Sequence, residues 1–442
     1  MLYFFISLFL LLLIAYLLLR TSPVQTWITQ KIAAYYSEKL HTKVEVGGVD
    51  IGFFNKIILE KVYVQDLHKD TLLYAQKIAL SIGKINRETH HIFIKNVEFK
   101  NMQLALITYK NEKDLNLQFI IDEFTSTDTT ADTTSTGWHF KFGGLALNNV
   151  DFKLQDRNDT STTTGINFSD LHAENIHAQI SDVEFFGDTI RASINHLSTI
   201  EKSGFQLRDF TCYVKLSPVG MELDQLHVVT AESDISTDLI FKYKKYTDFI
   251  HDFDDNVHMK AVFNKSRLEM NDIAYFSPDL KGMYKTISIS GDISGTVSDL
   301  RGKNMNILFG DNTQFSGDVD MTGLPNFSET YMHLDIDRLT TTRGDLEQIP
   351  IPPFNEQKTL EVPENIGLLG KIIFQGNFSG YYSDFVAYGK FSTALGNISS
   401  DMDMKKPSEN DTVTYSGKIK SDNFDIGKFL GIGIIGKISL DG

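Results

Sequence analysis

The chain has 442 residues, a net charge of −15, 42% hydrophobic and 12% aromatic content, 31 Gly, 9 Pro and one Cys. Its acidity argues against nucleic acid and against a domain that lies on anionic headgroups, since both need basic surface. The lone Cys212 excludes a disulfide framework and a thiolate zinc site, and the Gly and Pro counts exclude collagen-like and Pro-rich disordered chains.

Residues 2–19 read LYFFISLFLLLLIAYLLL, apolar or aromatic except for Ser7. A helix rising ~1.5 Å per residue needs about 20 such residues to cross a ~30 Å hydrocarbon core. The segment is expected to be an uncleaved anchor, with Leu2, Phe5, Leu10, Leu13, Tyr16 and Leu19 among its lipid-facing positions. A cleaved signal peptide is the rival reading. It requires an early basic region and small residues at a cleavage site, and neither precedes Arg20-Thr21-Ser22-Pro23. A positive-inside count on Arg20 and Lys31 puts the C-terminal side in the cytoplasm, against the outward placement that the remainder of the chain suggests.

Ser22-Pro23 reads as N-cap and first helical position. Val24, Trp27, Ile28, Ile32, Tyr35 and Leu40 then recur at helical spacing, which predicts one amphipathic helix over 23–40. It is expected to lie on a membrane or, preferably, to plug one end of the next domain, because its polar face is not strongly basic.

From Val44 the period becomes two. Val44–Val46, Ile78–Ile82, Val97–Phe99, Met102–Leu106, Leu115–Phe119, Val319–Met321, Met332–Ile336 and Ile438–Leu440 read as short strands with one polar face each. Cys212, within Phe210–Val214, is expected to be a buried core thiol. Short helical pieces are expected at Arg267–Phe276, Arg343–Gln348 and Asp425–Leu430. Residues 125–137 and 158–165 are polar insertions. The segment IPIPPF at 349–354 separates two similar blocks. Ile287–Gly295 matches Ile372–Gly380 at an offset of 85, Asp318–Met321 matches Asp401–Met404, and Gly436–Gly442 opens a third copy. Repeated β units imply a quasi-linear array. A finish on the first strand of a repeat leads us to expect the N-terminal piece of a longer protein. The expected organisation is an anchor (1–21), an amphipathic helix (22–41), a β domain (42–284) and repeated β units (285–442).

Catalytic signatures are lacking: there is no GxSxG, HExxH, P-loop or GxGxxG. Ser81-Ile82-Gly83-Lys84 lies inside a strand pattern rather than opening a helix. His90-His91 after Glu88 could pair on a metal, and the acidic run from His251 to His258 could hold Ca²⁺. A turn and a solvated loop are the preferred readings, because metal-site spacing is missing in both. The sequons at Asn167, Asn326 and Asn377 matter only in a eukaryotic secretory path. No cofactor and no enzyme activity are implied, and a hydrolase is the least favoured class.

The order of anchor, amphipathic helix and KVEVGGVDIGFFNKIILEKVYVQD (43–66) resembles the start of AsmA-like proteins, in particular the TamB family of Bacteroidetes. The resemblance continues through LEMNDIAYFSPDLKGMYKTISISGDISGTVSDL (268–300), GDLEQIPIPPF (344–354) and NFDIGKFLG (423–431). It implies an inner-membrane anchor in a Gram-negative cell and a long periplasmic β domain. That domain would be an elongated, curved antiparallel sheet, U-shaped or taco-like, with an apolar groove. It also implies phospholipid carriage between inner and outer membranes, and a BamA-like barrel partner met through a C-terminal domain that lies beyond these residues. In that groove Ile78, Leu80, Ile82, Leu104 and Leu106 are the candidate lining. Burial of ~0.8 kcal/mol per CH₂ would favour an acyl chain of ~16 carbons in such a groove over water by ~10 kcal/mol, while exchange with a bilayer is nearly neutral. About 20 to 30 strands at ~4.8 Å would reach ~100 to 140 Å. The alternative is a scaffold that helps outer-membrane proteins assemble by strand pairing.

Overall fold

The structure is a computed structural model that describes residues 21–441 apart from 53–54, 89–90, 126–138, 160–163 and 406–413. The predicted anchor at 2–19 lies outside the described residues, and so does the polar loop at 125–137 except Thr125. Among the described residues no helix is long and apolar enough to cross a membrane. The chain is mainly β and divides into two compact units, Met1–Thr211 and Cys212–Gly442.

The first unit opens with helix α1 (Ser22–Lys39). Its N-cap is Thr21 and not Ser22. Thr21 makes no side-chain cap bond there, and Pro23 simply tolerates the missing first-turn bond. Strands β1 (Val44–Gly52), β2 (Lys56–Gln65), β3 (Thr71–Asn86) and β4 (His91–Thr108) follow as an antiparallel meander. The predicted runs Val97–Phe99 and Met102–Leu106 are two halves of β4. Leu115–Phe119 is not a strand. Leu115 makes one bridge to Thr108, and α2 (Gln118–Thr125) begins at once. Its four apolar residues, Phe119, Ile120, Ile121 and Phe124, suit a helix face as well as a strand, so periodicity over five residues could not decide.

The sheet is not wholly antiparallel. β4 pairs in parallel with both β5 (His139–Phe142) and β6 (Gly144–Asp156), which requires the long α2-containing crossover between them. β6, β7 (Asp170–Phe186) and β8 (Thr189–Glu201) then resume antiparallel order, and β9 (Gln206–Ser217) crosses the unit boundary. Cys212 on β9 is buried, as expected, and burial pushes its thiol up to about 11.

The second unit continues as a meander: β10 (Gly220–Thr230), β11 (Asp234–Lys242), β12 (His258–Glu269), β13 (Thr286–Gly295), β14 (Asp299–Phe309), β15 (Thr313–Thr322), β16 (Tyr331–Thr341), β17 (Ile372–Tyr381), β18 (Asp384–Thr393), β19 (Gly396–Lys405), β20 (Thr414–Asp425) and β21 (Lys437–Asp441). Each is antiparallel to the next. The acidic run from His251 is helical rather than a loop. It closes α3 (Tyr246–His251) and makes α4 (Phe253–Asn256), where Phe249 and Phe253 stack edge-on over Phe241. The expected helix from Arg267 is shorter. β12 runs on to Glu269, and only α5 (Met270–Ile273) is helical. The turns at α6 (Arg343–Leu346) and α7 (Ile426–Leu430) fall where expected.

The sequence repeat is thus a block of four strands and a connector. β13, β17 and β21 are equivalent first strands, and α5, α6 and α7 each follow a fourth strand. Each connector is tied back to the turn between the block's second and third strands. Asp272 accepts from Thr230 and Ser233 at 2.5 and 2.6 Å. Asp345 accepts from the Asn312 N–H at 2.7 Å and from Thr313 at 2.9 Å. The Asp425 N–H donates to the Leu395 carbonyl at 2.8 Å. The first unit uses the same tie after β4: buried Asp66 accepts from the Tyr109 hydroxyl at 2.7 Å and from Asn116 at 2.9 Å.

Candidate functional site

A strand alternates its side chains between two faces, so one face can be wholly apolar. Here that face is continued across a crease. In the first unit Lys61, Asn101, Asn149 and Asn175 adopt left-handed φ of 51°, 47°, 57° and 52° inside β2, β4, β6 and β7. A left-handed residue resets the alternation and bends the strand. Leu59 and Val62, Phe99 and Met102, and Leu147 and Val150 consequently share one cluster, although each pair is three residues apart. The amides line up along the crease: Asn149 donates to Asn101 at 2.7 Å, and Asn101 donates to Gln76.

In the second unit Gln225 and Asn304 repeat the device, with φ of 51° and 52°. Their freed N–H groups donate to Asp238 and Asp318 on the next strand at 2.7 and 2.9 Å. The Asn304 N–H, helped by Lys303, holds the Asp318 carboxyl below the usual carboxylate range. Further along, glycine takes over. One register row runs Met305–Gly317–Ile336–Gly376–Gly389, so large and absent side chains interleave. Gly317 has φ 151°, and a Cβ there would sit 2.0 Å from the Asp335 carbonyl oxygen.

The apolar face beside this crease is unbroken. One register row reads Leu223–Leu239–Ala261–Ile293–Gly302–Val319–Leu334–Phe378–Ala387–Met402–Gly417, from β10 to β20. The next reads Met221–Phe241–Met259–Gly295–Leu300–Met321–Met332–Gly380–Phe385–Met404, from β10 to β19. No member of either row is polar. The row between them points to the opposite face and carries Glu222, Lys260, Ser294, Arg301, Asp320, His333, Ser379 and Asp403, interrupted only by Ile240 and Val386. Ten strand gaps at ~4.8 Å make the longer apolar row about 48 Å. Most of its members are only half-buried, and so are most of the methionine-rich row. One margin of the face is closed by connectors, where Leu369, Ile372 and Phe424 are buried with Phe391 and Phe429.

The predicted lining residues fall in apolar register rows of the first unit. Ile78 joins the row Val49–Leu59–Ile78–Phe99–Leu147–Ala178–Leu197. Leu80 joins Ile51–Ile57–Leu80–Val97–Leu145–Ile180–Ile194. Leu104 pairs with Leu73 and Phe152, Leu106 with Leu154, and Ile82 with Ile94. All five are half-buried, and Ile78 and Leu104 pack on the cluster of Val62, Ala75, Met102 and Val150. The second unit's rows were not singled out from sequence. Their signal was present as an apolar residue two positions from a methionine, in Met221-Glu222-Leu223, Met259-Lys260-Ala261, Val319-Asp320-Met321 and Met402-Asp403-Met404.

Ser81 sits within β3, and among the described residues no group of three His, Cys, Asp or Glu could hold a metal. The chain matches no protein-family model, no curated protein and no solved structure.

Proposed function

We propose that the chain is an inner-membrane-anchored periplasmic carrier, of the AsmA-like, TamB type, whose apolar face shields phospholipid acyl chains in passage between inner and outer membranes. The observation that carries this is the pair of unbroken apolar rows on β10–β20, half-open to solvent over about 48 Å with a polar row behind them. A half-open face of that length costs free energy in water, and a lipid tail would relieve it. Five of the ten positions from Met221 to Met404 are methionines, whose flexible thioethers adapt to irregular chains. Near-neutral exchange with a bilayer suits passage rather than storage.

A scaffold that adds strands at its edge is the second reading, and the β1 edge counts against it there. The β1 N–H groups of Val49 and Ile51 already donate to Thr26 and Gln25 of α1 at 3.0 and 2.8 Å. A BamA-like barrel is the proposed partner.

The test is mass spectrometry of lipids that co-purify with the detergent-extracted, detergent-exchanged chain. Phospholipid should be present, and it should be lost in V319D/L334D with the far-UV circular dichroism unchanged. A lipid-free preparation that also takes up no fluorescent phospholipid would refute the proposal.

A further inference from the structure

Helix α1 carries its apolar residues on the wrong side for a protein core. The side toward β1 is small and polar: Gln25 is 6% and Ala33 6% exposed, and Gln25, Thr26 and Ser37 bond to the β1 backbone. The opposite side carries Trp27, Ile28, Ile32 and Tyr35, exposed by 60, 38, 50 and 59%. These residues lie at i, i+1, i+5 and i+8, one stripe of a 3.6-residue helix, and no described element covers them. An ordinary surface helix shows the reverse arrangement.

We infer that this stripe docks on a lipid bilayer, at headgroup depth, and seats the β1 end of the sheet against the membrane. The occupant is fixed by chain continuity. The eighteen-residue apolar segment 2–19 ends three positions before Ser22, so the helix that carries the stripe begins almost where that segment stops. Trp and Tyr are the side chains favoured at the headgroup level, and Lys31, on the same side of the helix, has a stem long enough to reach phosphate. The proposal rests on residues 2–19 being the anchor. It does not require the apolar rows to carry lipid.

The chain has two tryptophans, Trp27 and Trp138, so W138F leaves Trp27 as the sole reporter. The full-length W138F chain is reconstituted into vesicles of phosphatidylethanolamine and phosphatidylglycerol, with and without lipids brominated near the glycerol end of the acyl chain. Trp27 emission should be blue-shifted, reduced at least twofold by the brominated lipid and little affected by aqueous iodide. Water-like emission quenched by iodide would overturn the proposal. Blue-shifted emission indifferent to brominated lipid would overturn it too, because a protein surface would then cover the stripe. A second variant, W27S/I28S/I32S/Y35S, should keep its circular dichroism and co-purifying lipid but lose about tenfold in the initial rate of phospholipid uptake from vesicles. Loss of co-purified lipid in the parent chain, with Trp27 still quenched, would count against the carrier reading alone.

Discussion

The two units meet one geometric demand in different ways. The first creases its sheet with left-handed Asn and Lys residues and fills the face behind them: Ala75 is 0% and Val150 2% exposed. The second creases much of its sheet with glycine and leaves most of its two apolar rows half-open. Asparagine tolerates left-handed φ through local hydrogen bonds and keeps a side chain to pack or pair, whereas glycine removes the side chain altogether. The first keeps a line of amides along its crease, whereas the second sets glycines beside Met305 and Ile336, 3 and 7% exposed, and in both units the flanking apolar rows stay mostly half-buried.

The contrast breaks most sharply at the creases. Gly317→Val adds a side chain where φ is 151° and a Cβ meets the Asp335 oxygen at 2.0 Å. It should cost at least about 3 kcal/mol in urea unfolding. Asn101→Gly, at φ 47°, keeps the backbone and should stay within about 1 kcal/mol, so equal losses would erase the distinction.

Charge on the two faces should separate folding from occupancy. Val150→Asp buries an unpaired carboxylate in the packed cluster and should destabilise by about 3 kcal/mol or more. Leu334→Asp on the half-open row should cost about 1 kcal/mol and remove co-purified lipid. Leu80→Asp and Leu104→Asp decide where the predicted lining belongs. Lipid loss without unfolding would make both lining residues of the first unit, and unfolding would assign both to its core.

The Asp345 tie should be pH-dependent. Burial pushes the Asp345 carboxyl up, but the N–H of Asn312 and the hydroxyl of Thr313, with other donors, outweigh it and hold it below the usual range. A depressed folded value means that the tie contributes fully above the ordinary carboxylate pKa of about 3.9 and is lost as pH falls through the lower folded value. Asp345→Asn should cost about 1.5 to 3 kcal/mol at pH 7 and flatten the acid limb of the stability profile. A parallel acid limb in the variant would show that other carboxylates govern it. The smallest effect is expected from M259L/M321L, which should change stability by less than about 1.5 kcal/mol and narrow the range of acyl chains recovered.

Alternation made the named strands legible except at Leu115–Phe119, which runs into α2, and the match of Ile287–Gly295 to Ile372–Gly380 located equivalent strands β13 and β17. The crease was not legible. Val97–Phe99 and Met102–Leu106 look like two strands because Asn101 interrupts the parity, and nothing local says that the chain carries straight on. The parallel β4–β6 pair was hidden because pairing order is a long-range property. α1 packs on the β1 edge, but the sequence did not say which side of the helix faces it: the hydrogen-bonding demand of that edge draws in Gln25, Thr26 and Ser37.

The four-strand block with its tied connector also works as a unit of length. Each block adds about 19 Å of sheet, from four gaps of ~4.8 Å, and closes its own connector before the next begins. A gene that gains or loses one block would reset the reach of its product in steps of that size, with no new interface to evolve. Reach could therefore be matched to the width of a cell compartment by counting repeats.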